Sequence, residues 1–394
     1  MTFCSSADGG AFALFVIHNC SQVALLFASQ SSNPRDSLTI RFPRKLGYIM
    51  HDLRSQQSNL AADSGASTSI PLRKFGRHDV QISALGFGGH HLGDAQDRAT
   101  AARIVHEAVD GGITFFDNCW EYHNGKSEVW MGGALKGRRE KVFLMTKVCT
   151  HGRDGSLAMQ MLEQSLRRYQ TDHLDLWQIH GVGWENDPDL FIRRGGAAEA
   201  LTKAKEQGKV RFVGFTGHKD ANVHKKMLDT GFPFDSAQMP LNPFDTNFAI
   251  SFQKVVLPLL NQKGIAALGM KPLSGHGEPI TAGQFSAEEG LRYAMSLPVA
   301  TTITGMESLE VLRQNLKIAQ GFQPMTASEM RALESRTQEA AGDARFELYK
   351  VSLKFDNPQA RMAHGFPIDK ESEEVKEMLK ATDNNGHPFP DPKQ

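Results

Sequence analysis

Apolar positions along the chain fall into short β-rich runs that alternate with longer segments of helical period. Strands are predicted at residues 84–86, 113–116, 142–146, 174–179, 210–215, 236–238, 265–268 and 301–304, apolar runs too short for helices. Between them apolar residues recur every three or four positions over 99–110, 127–135, 156–169, 197–206, 221–230, 252–262 and 286–296, with a last such segment at 309–319. Eight strand–helix units in about 240 residues predict an α/β fold, the (β/α)8 TIM barrel. A doubly wound sheet would need fewer strands and a G-x-G-x-x-G turn after the first. Strand one instead runs into Gly86-Phe87-Gly88-Gly89-His90, which misses that spacing.

Either side of the barrel the pattern changes. Residues 50–69 are polar, rich in Ser, Gln, Ala and Asp, and cannot build a core of their own. Two short alternating segments around Gly76 read as an N-terminal β-hairpin leading into the first long strand. The expected organisation is therefore a poorly ordered extension over 1–69, a barrel over 70–320, and a helical appendage with a loose tail over 321–394. The apolar stretch 11–29 is interrupted by His18, Asn19, Cys20, Ser21 and Gln22, and no Lys or Arg precedes it. It satisfies neither a membrane span of about 20 apolar residues nor a signal peptide, and Met50 offers an alternative start.

Composition narrows the partners. With 40% hydrophobic residues and 44 basic against 44 acidic side chains, the 394-residue chain fits a globular protein with a sizeable core and no basic stripe for nucleic acid or anionic membrane. A small molecule becomes the expected partner. The four cysteines, Cys4, Cys20, Cys119 and Cys149, are widely spaced, without a C-x-x-C pair, which suits a reducing cytoplasm.

In such barrels chemistry sits at the carboxyl ends of the strands. Three consecutive strands end in Asp117, Lys147 and His180, and strand alternation directs all three at the barrel mouth. Tyr122 follows Asp117 by five residues on the next loop. Reducing a carbonyl by hydride transfer leaves negative charge on oxygen, so the site must polarise that oxygen and protonate it. Tyr122 can donate the proton. A free phenol, near pKa 10, is poorly matched to neutral pH, and the ammonium of Lys147 would favour the phenolate. Asp117 would hold that ammonium charged, and His180 would orient the carbonyl. Singly, each residue also has a structural reading, as ion pair, surface aromatic or core histidine; together, at neighbouring strand ends, they point to catalysis.

Other polar residues carry less. His90, His91 and His123 invite a metal, but adjacent His90 and His91 are not expected both to face inward and no H-x-H or H-E-x-x-H occurs, so no metal catalysis is expected. Cys119 and Cys149 read as small packing residues. Trp120, beside the catalytic group, is a candidate substrate contact.

At these residues the sequence resembles the aldo-keto reductase family. The resemblance covers about two thirds of the chain, residues 70–319, and rests on Asp117-Asn118-Cys119-Trp120-Glu121-Tyr122 with Gly125-Lys126-Ser127-Glu128, on MGGALKGRREKVFLMTKV reaching Lys147, and on LDLWQIH ending in His180. It implies a nicotinamide cofactor, NADPH or NADH, extended across the barrel mouth, with Gly88 among its contacts. Gln238 would hold the carboxamide, whereas the family's usual Ser-Asn is here Thr216-Gly217, so that only the Thr216 hydroxyl carries over. Met270 stands where relatives commonly stack an aromatic, offering a polarizable thioether. The loop Lys271-Pro272-Leu273-Ser274-Gly275 would receive the pyrophosphate, and Gly305 with Gln314 and Asn315 the adenosine end. Near Gly305 many relatives carry Arg or Lys for a 2'-phosphate, while this chain has Glu307, which would repel it; NADH is thus expected to rival or exceed NADPH. Two other functions stay open: a cofactor-binding redox sensor with little turnover, and a barrel lyase using Lys147 as a Schiff-base amine.

Overall fold

Adjacent strand residues face opposite sides of a sheet, and Phe115 and Phe116 separate in this way. Phe115 joins Phe143, Met145, Leu176, Phe212 and Leu268 inside a barrel, while Phe116 packs in the cluster that includes the helix side chains. The computed structural model describes residues 3–5, 11–13, 69–148 and 151–351. The strands are β1 (Phe3–Ser5), β2 (Ala11–Ala13), β3 (Leu72–Lys74), β4 (Gln81–Ser83), β5 (Leu85–Gly88), β6 (Phe115–Asp117), β7 (Phe143–Val148), β8 (Leu174–Ile179), β9 (Val210–Thr216), β10 (Ser236–Pro240), β11 (Ala266–Met270) and β12 (Thr301–Gly305). Strands β5 to β12 close a barrel in chain order with every pairing parallel. The predicted (β/α)8 fold is the observed one. In the N-terminal unit, residues 1–66, β1 pairs antiparallel with β2. The apolar stretch 14–29, Cys20, the linker 50–68, Cys149 and the tail from 352 lie outside the described residues.

The predicted hairpin is β3 with β4. It plugs the end of the barrel where the strands begin: Phe75 and Ile82 are fully buried in the inner cluster, and the Phe75 ring lies 5.0 Å from Phe143 and 5.1 Å from Phe212. The opposite end, where polar side chains gather, is left for a site.

Several strands run past their predicted ends. β5, β6, β7, β10 and β11 continue to Gly88, Asp117, Val148, Pro240 and Met270, because backbone groups make the ladder and it persists beyond the apolar run. The helix predicted over 252–262 is divided into Phe252–Val255 and Leu257–Lys263, with Pro258, which lacks an N–H, in the first turn of the second. Three helices between the barrel strands escaped the periodicity, Gly89–Leu92, Asp187–Ile192 and Glu278–Thr281, each too short to display it.

Beyond the barrel, Ala327–Gly342 is a helix with a capping box of Thr326 and Glu329. The segment after it returns to the loop that follows β10. Lys350 Nζ reaches Asp245 at 2.9 Å and Glu347 at 2.7 Å, and Glu347 accepts from Asn242 Nδ2 at 2.8 Å, all four residues being buried. Among the described residues no helix is long and apolar enough to cross a membrane.

Candidate active site

Strand alternation sends Asp117 and Lys147 to the same inner face of the barrel as Phe115 and Met145, but at the end where the strands finish. Both are nearly fully buried, and Lys147 Nζ donates to Asp117 Oδ1 at 2.5 Å and to the Asn118 carbonyl at 2.7 Å. Such a cation is tolerable inside a fold only because its donors are satisfied by an anion and a carbonyl. Tyr122 lies over it, with the Lys147 ammonium 4.9 Å from the ring centroid. His180, just past β8, meets the Tyr122 ring edge-on at 6.1 Å. The four residues reasoned from the sequence thus stand together at one end of the barrel.

What aims them is a second set of buried contacts. The loop carrying Tyr122 is held through Ser127 Oγ, which donates to the Gly89 carbonyl at 2.5 Å, and through buried Glu128, which accepts from Thr146, Ser165 and Arg168. Arg168 also donates to the Trp120 carbonyl at 2.7 Å. The loop after His180 is fixed by a buried Arg153–Asp187 pair: Arg153 donates to the His180 and Gly181 carbonyls, and Asp187 accepts from the Gly183 and Trp184 amides. His180 Nδ1 lies 2.9 Å from Glu121 Oε1 and 3.2 Å from Cys119 Sγ, so Nε2 is the ring nitrogen left for a ligand. Cys119 is therefore more than packing: its sulfur touches the ring of His180.

A cavity of about 1210 Å³ opens above these residues, lined by Asp117, Tyr122 and His180 and, among the expected cofactor contacts, by Gly88, Gln238, Met270, Lys271, Pro272, Leu273, Gly275, Gly305, Gln314 and Asn315. Thr216 and Ser274 are buried at its edge rather than in its lining. Gln238 Oε1, Thr216 Oγ1 and Ser274 Oγ are buried without a hydrogen-bond partner, and Gln238 stands level with Thr216 across β9 and β10. A buried acceptor left unmade costs about 1–3 kcal/mol, so three of them beside one cavity read as places kept for a ligand. Lys271 and Ser274 hold left-handed backbone, at φ 52° and 64°, where only glycine is at ease.

Trp120 is not brought to the cavity. Its indole donates to Gln164 at 2.8 Å and lies beneath Arg168, so it faces the helix Gly155–Tyr169. His90 and His91, by contrast, both line the cavity, against the expectation that they could not both face it. They sit on the helix Gly89–Leu92 and not on a strand, and successive helical residues turn by about 100° rather than reversing. Sequence reasoning also missed Glu121, His218, His276 and Phe346. The replacement of the family's asparagine at Gly217 has a steric cause: a Cβ there would fall 1.9 Å from the Val182 carbonyl oxygen. His218 follows it into the cavity, its imidazole pushed well below the usual range by burial and by nearby Lys271 and His180.

Behind Gln238, His224 donates from Nε2 to the Gln238 carbonyl at 3.3 Å. Burial pushes its imidazole down to about 4, against the raising effect of that hydrogen bond. The folded value lies below the ordinary 6.5, so the unfolded chain takes the proton first. The stability gained from a neutral ring is complete above about pH 6.5 and is lost as pH falls toward about 4, on the order of 3 kcal/mol. Melting temperatures between these limits should therefore fall more steeply for the wild type than for His224→Gln; parallel slopes would reject this assignment.

Three comparisons bear on the site. Residues 84–277 match the model of the Aldo/keto reductase family. The chain is 29% identical over 305 residues to an uncharacterized oxidoreductase of Bacillus subtilis, covering 68% of this chain and 96% of that protein. It is 40% identical over 148 residues to a methylglyoxal reductase of Escherichia coli, covering 37% of this chain and 50% of that protein. Among solved structures, the holo form of an aldo-keto reductase from Bacillus halodurans superposes with a TM-score of 0.58 at 26% identity, covering 68% of this chain and 96% of that one.

Proposed function

Because the chain belongs to the aldo/keto reductase family of oxidoreductases, we propose that it reduces an aldehyde or ketone with NADPH or NADH, Tyr122 being the proton donor. The observation that carries this reading is the Lys147 ammonium 4.9 Å from the Tyr122 ring, itself held 2.5 Å from Asp117. When bound, the reduced nicotinamide supplies a hydride to the carbonyl carbon. Everything else falls to the protein. Tyr122 gives its hydroxyl proton to the carbonyl oxygen as charge builds there, Lys147 offsets the charge left on the phenol, and His180 meets the oxygen from Nε2. Asp117 keeps Lys147 charged and in place.

The orphaned acceptors fit the cofactor. Gln238 Oε1 and Thr216 Oγ1, level with each other, suit a carboxamide, which brings N–H donors and a carbonyl. Ser274 and Gly275 suit pyrophosphate, and Gly305, Gln314 and Asn315 the adenosine. The lyase reading is disfavoured by the ion pair, since an ammonium donating to a carboxylate has no lone pair for a Schiff base. The cytoplasmic setting of the sequence reading accompanies this proposal.

The test is a panel of aldehydes and ketones, methylglyoxal included, offered with each reduced cofactor while nicotinamide absorbance is followed. Consumption with at least one pair is expected. Cofactor binding with no turnover on any carbonyl would favour a redox sensor instead. Exposed Glu307, in the lining beside Gly305, disfavours a 2'-phosphate. The kcat/KM with NADH is expected to equal or exceed that with NADPH, and Glu307→Lys to move the ratio about tenfold toward NADPH, roughly 1.4 kcal/mol. A strong NADPH preference in the wild type would end this part of the reading.

A further inference from the structure

We propose that His90, Asp94 and His123 form a binding site for a divalent transition-metal ion, Zn2+ foremost, whose occupancy pins the loop carrying Tyr122 and slows turnover. One ligand atom from each of the three lies within 4.8 Å of the others. In a tetrahedral Zn2+ site with bonds of about 2.1 Å the ligand atoms stand about 3.4 Å apart, so the site closes on an ion by side-chain shifts of up to about 1.4 Å. Two imidazoles and a carboxylate form a donor set that zinc accepts, with water in the fourth position.

The local chain is shaped toward this meeting. His90 lies on the helix Gly89–Leu92 and Asp94 two residues past its end, while His123 comes from the loop after β6. His123 and Asn124 take φ of 51° and 56°, followed by Gly125 at 87°, three successive left-handed residues of which only the glycine is at ease. The non-glycine pair costs about 1–3 kcal/mol per residue. That backbone directs the His123 ring to His90 and Asp94: His123 Nε2 is 2.9 Å from the His90 carbonyl oxygen and 3.5 Å from Asp94 Oδ1.

Charge also suits a cation. His90 is half-buried and the Asp94 carboxylate is exposed beside it, so the site offers an anion and two imidazole nitrogens to a metal. Lys271 is the cation that opposes a metal here, and the Asp94 carboxylate offsets it.

The effect on the reaction follows from adjacency. The His90 ring meets the Tyr122 ring edge-on at 5.0 Å, and His123 is the next residue in the chain. A metal bonded to both histidines would hold the phenol between two fixed points. This slowing rests on Tyr122 as proton donor; the binding does not. A rival trio, Cys119, Glu121 and His180, has the same spacing but places the metal on the ring that meets the substrate.

The experiment titrates Zn2+ itself into the full-length, EDTA-treated protein by calorimetry, alongside carbonyl reduction with and without Zn2+. About one ion per chain is expected, with inhibition reversed by EDTA. Asp94→Asn, at an exposed position, should weaken binding by roughly 10–100-fold while leaving turnover in EDTA unchanged. Absence of stoichiometric binding, or equal affinity in Asp94→Asn, overturns the site. Loss of binding in Glu121→Gln with Asp94→Asn unaffected overturns it in favour of the rival trio. Binding as expected without any turnover would leave the metal site standing and count against the reductase reading alone.

Discussion

Replacing Tyr122 by Phe is expected to lower kcat for carbonyl reduction by about 10²–10⁴-fold, the range for loss of a positioned general acid, with little change in cofactor affinity. The substitution removes one oxygen and keeps the ring, so the edge-on contacts with His90 at 5.0 Å and His180 at 6.1 Å can persist, as can the Lys147 cation 4.9 Å from its centre. Folding should therefore be nearly unaffected, which makes the kinetic loss interpretable. The expected cofactor contacts run from Thr216 and Gln238 to Asn315 and do not include the phenol, so a fluorescence titration of reduced cofactor should give nearly the wild-type Kd. Single-turnover absorbance traces separate the two quantities. Turnover within about threefold of the wild type would move proton donation to another group, His180 first.

Three of the residues proposed for the chemistry, Asp117, Lys147 and His180, were legible because each follows an apolar strand run, and a charged residue ending ITFF or VFLMT has few structural uses; Tyr122 was legible only by its place on the loop after Asp117. Strand β8 was read at its observed bounds, since LDLWQI closes on an apolar residue, Ile179, with His180 directly after it. Elsewhere the apolar run was a shorter ruler than the hydrogen-bond ladder, as at β11, which continues through Gly269 and Met270. Long-range burial was not legible at all. Glu347 and Lys350, spaced as an i,i+3 pair, look like a solvated helix face, yet both are buried against Asp245 and Asn242, about a hundred residues earlier. No local pattern distinguishes that case from an exposed pair. Phe346, on the same segment, lines the cavity from a direction the barrel repeat does not predict. Glu121 was hidden for a related reason: its bond to His180 joins two loops whose approach depends on the Arg153–Asp187 pair.

Lys147→Met is expected to remove turnover and, unlike the Tyr122 change, to destabilise the fold by roughly 3–5 kcal/mol. The side chains of Lys147 and Asp117 are 1% and 6% exposed, so neither can exchange its partner for water. Methionine fills most of the volume but leaves Asp117 as a buried anion without its cation, and most of the cost comes from there. Asp117→Asn alone should destabilise for the converse reason, leaving the ammonium with the Asn118 carbonyl at 2.7 Å and a neutral amide. The two losses should not add. In the double variant no charge is stranded, and replacing a buried ion pair by uncharged groups of similar volume is often close to neutral. Urea unfolding of the double variant should then recover most of the stability lost in Lys147→Met, giving a coupling energy within the 0.5–3 kcal/mol seen for contacting residues or above it. Turnover should stay absent, because Tyr122 would still lack its cation. Stability and activity are separated by this cycle. Recovery of turnover along with stability would mean that Lys147 serves only the packing of the barrel mouth, and additive losses would mean that the 2.5 Å contact contributes little to holding the site together.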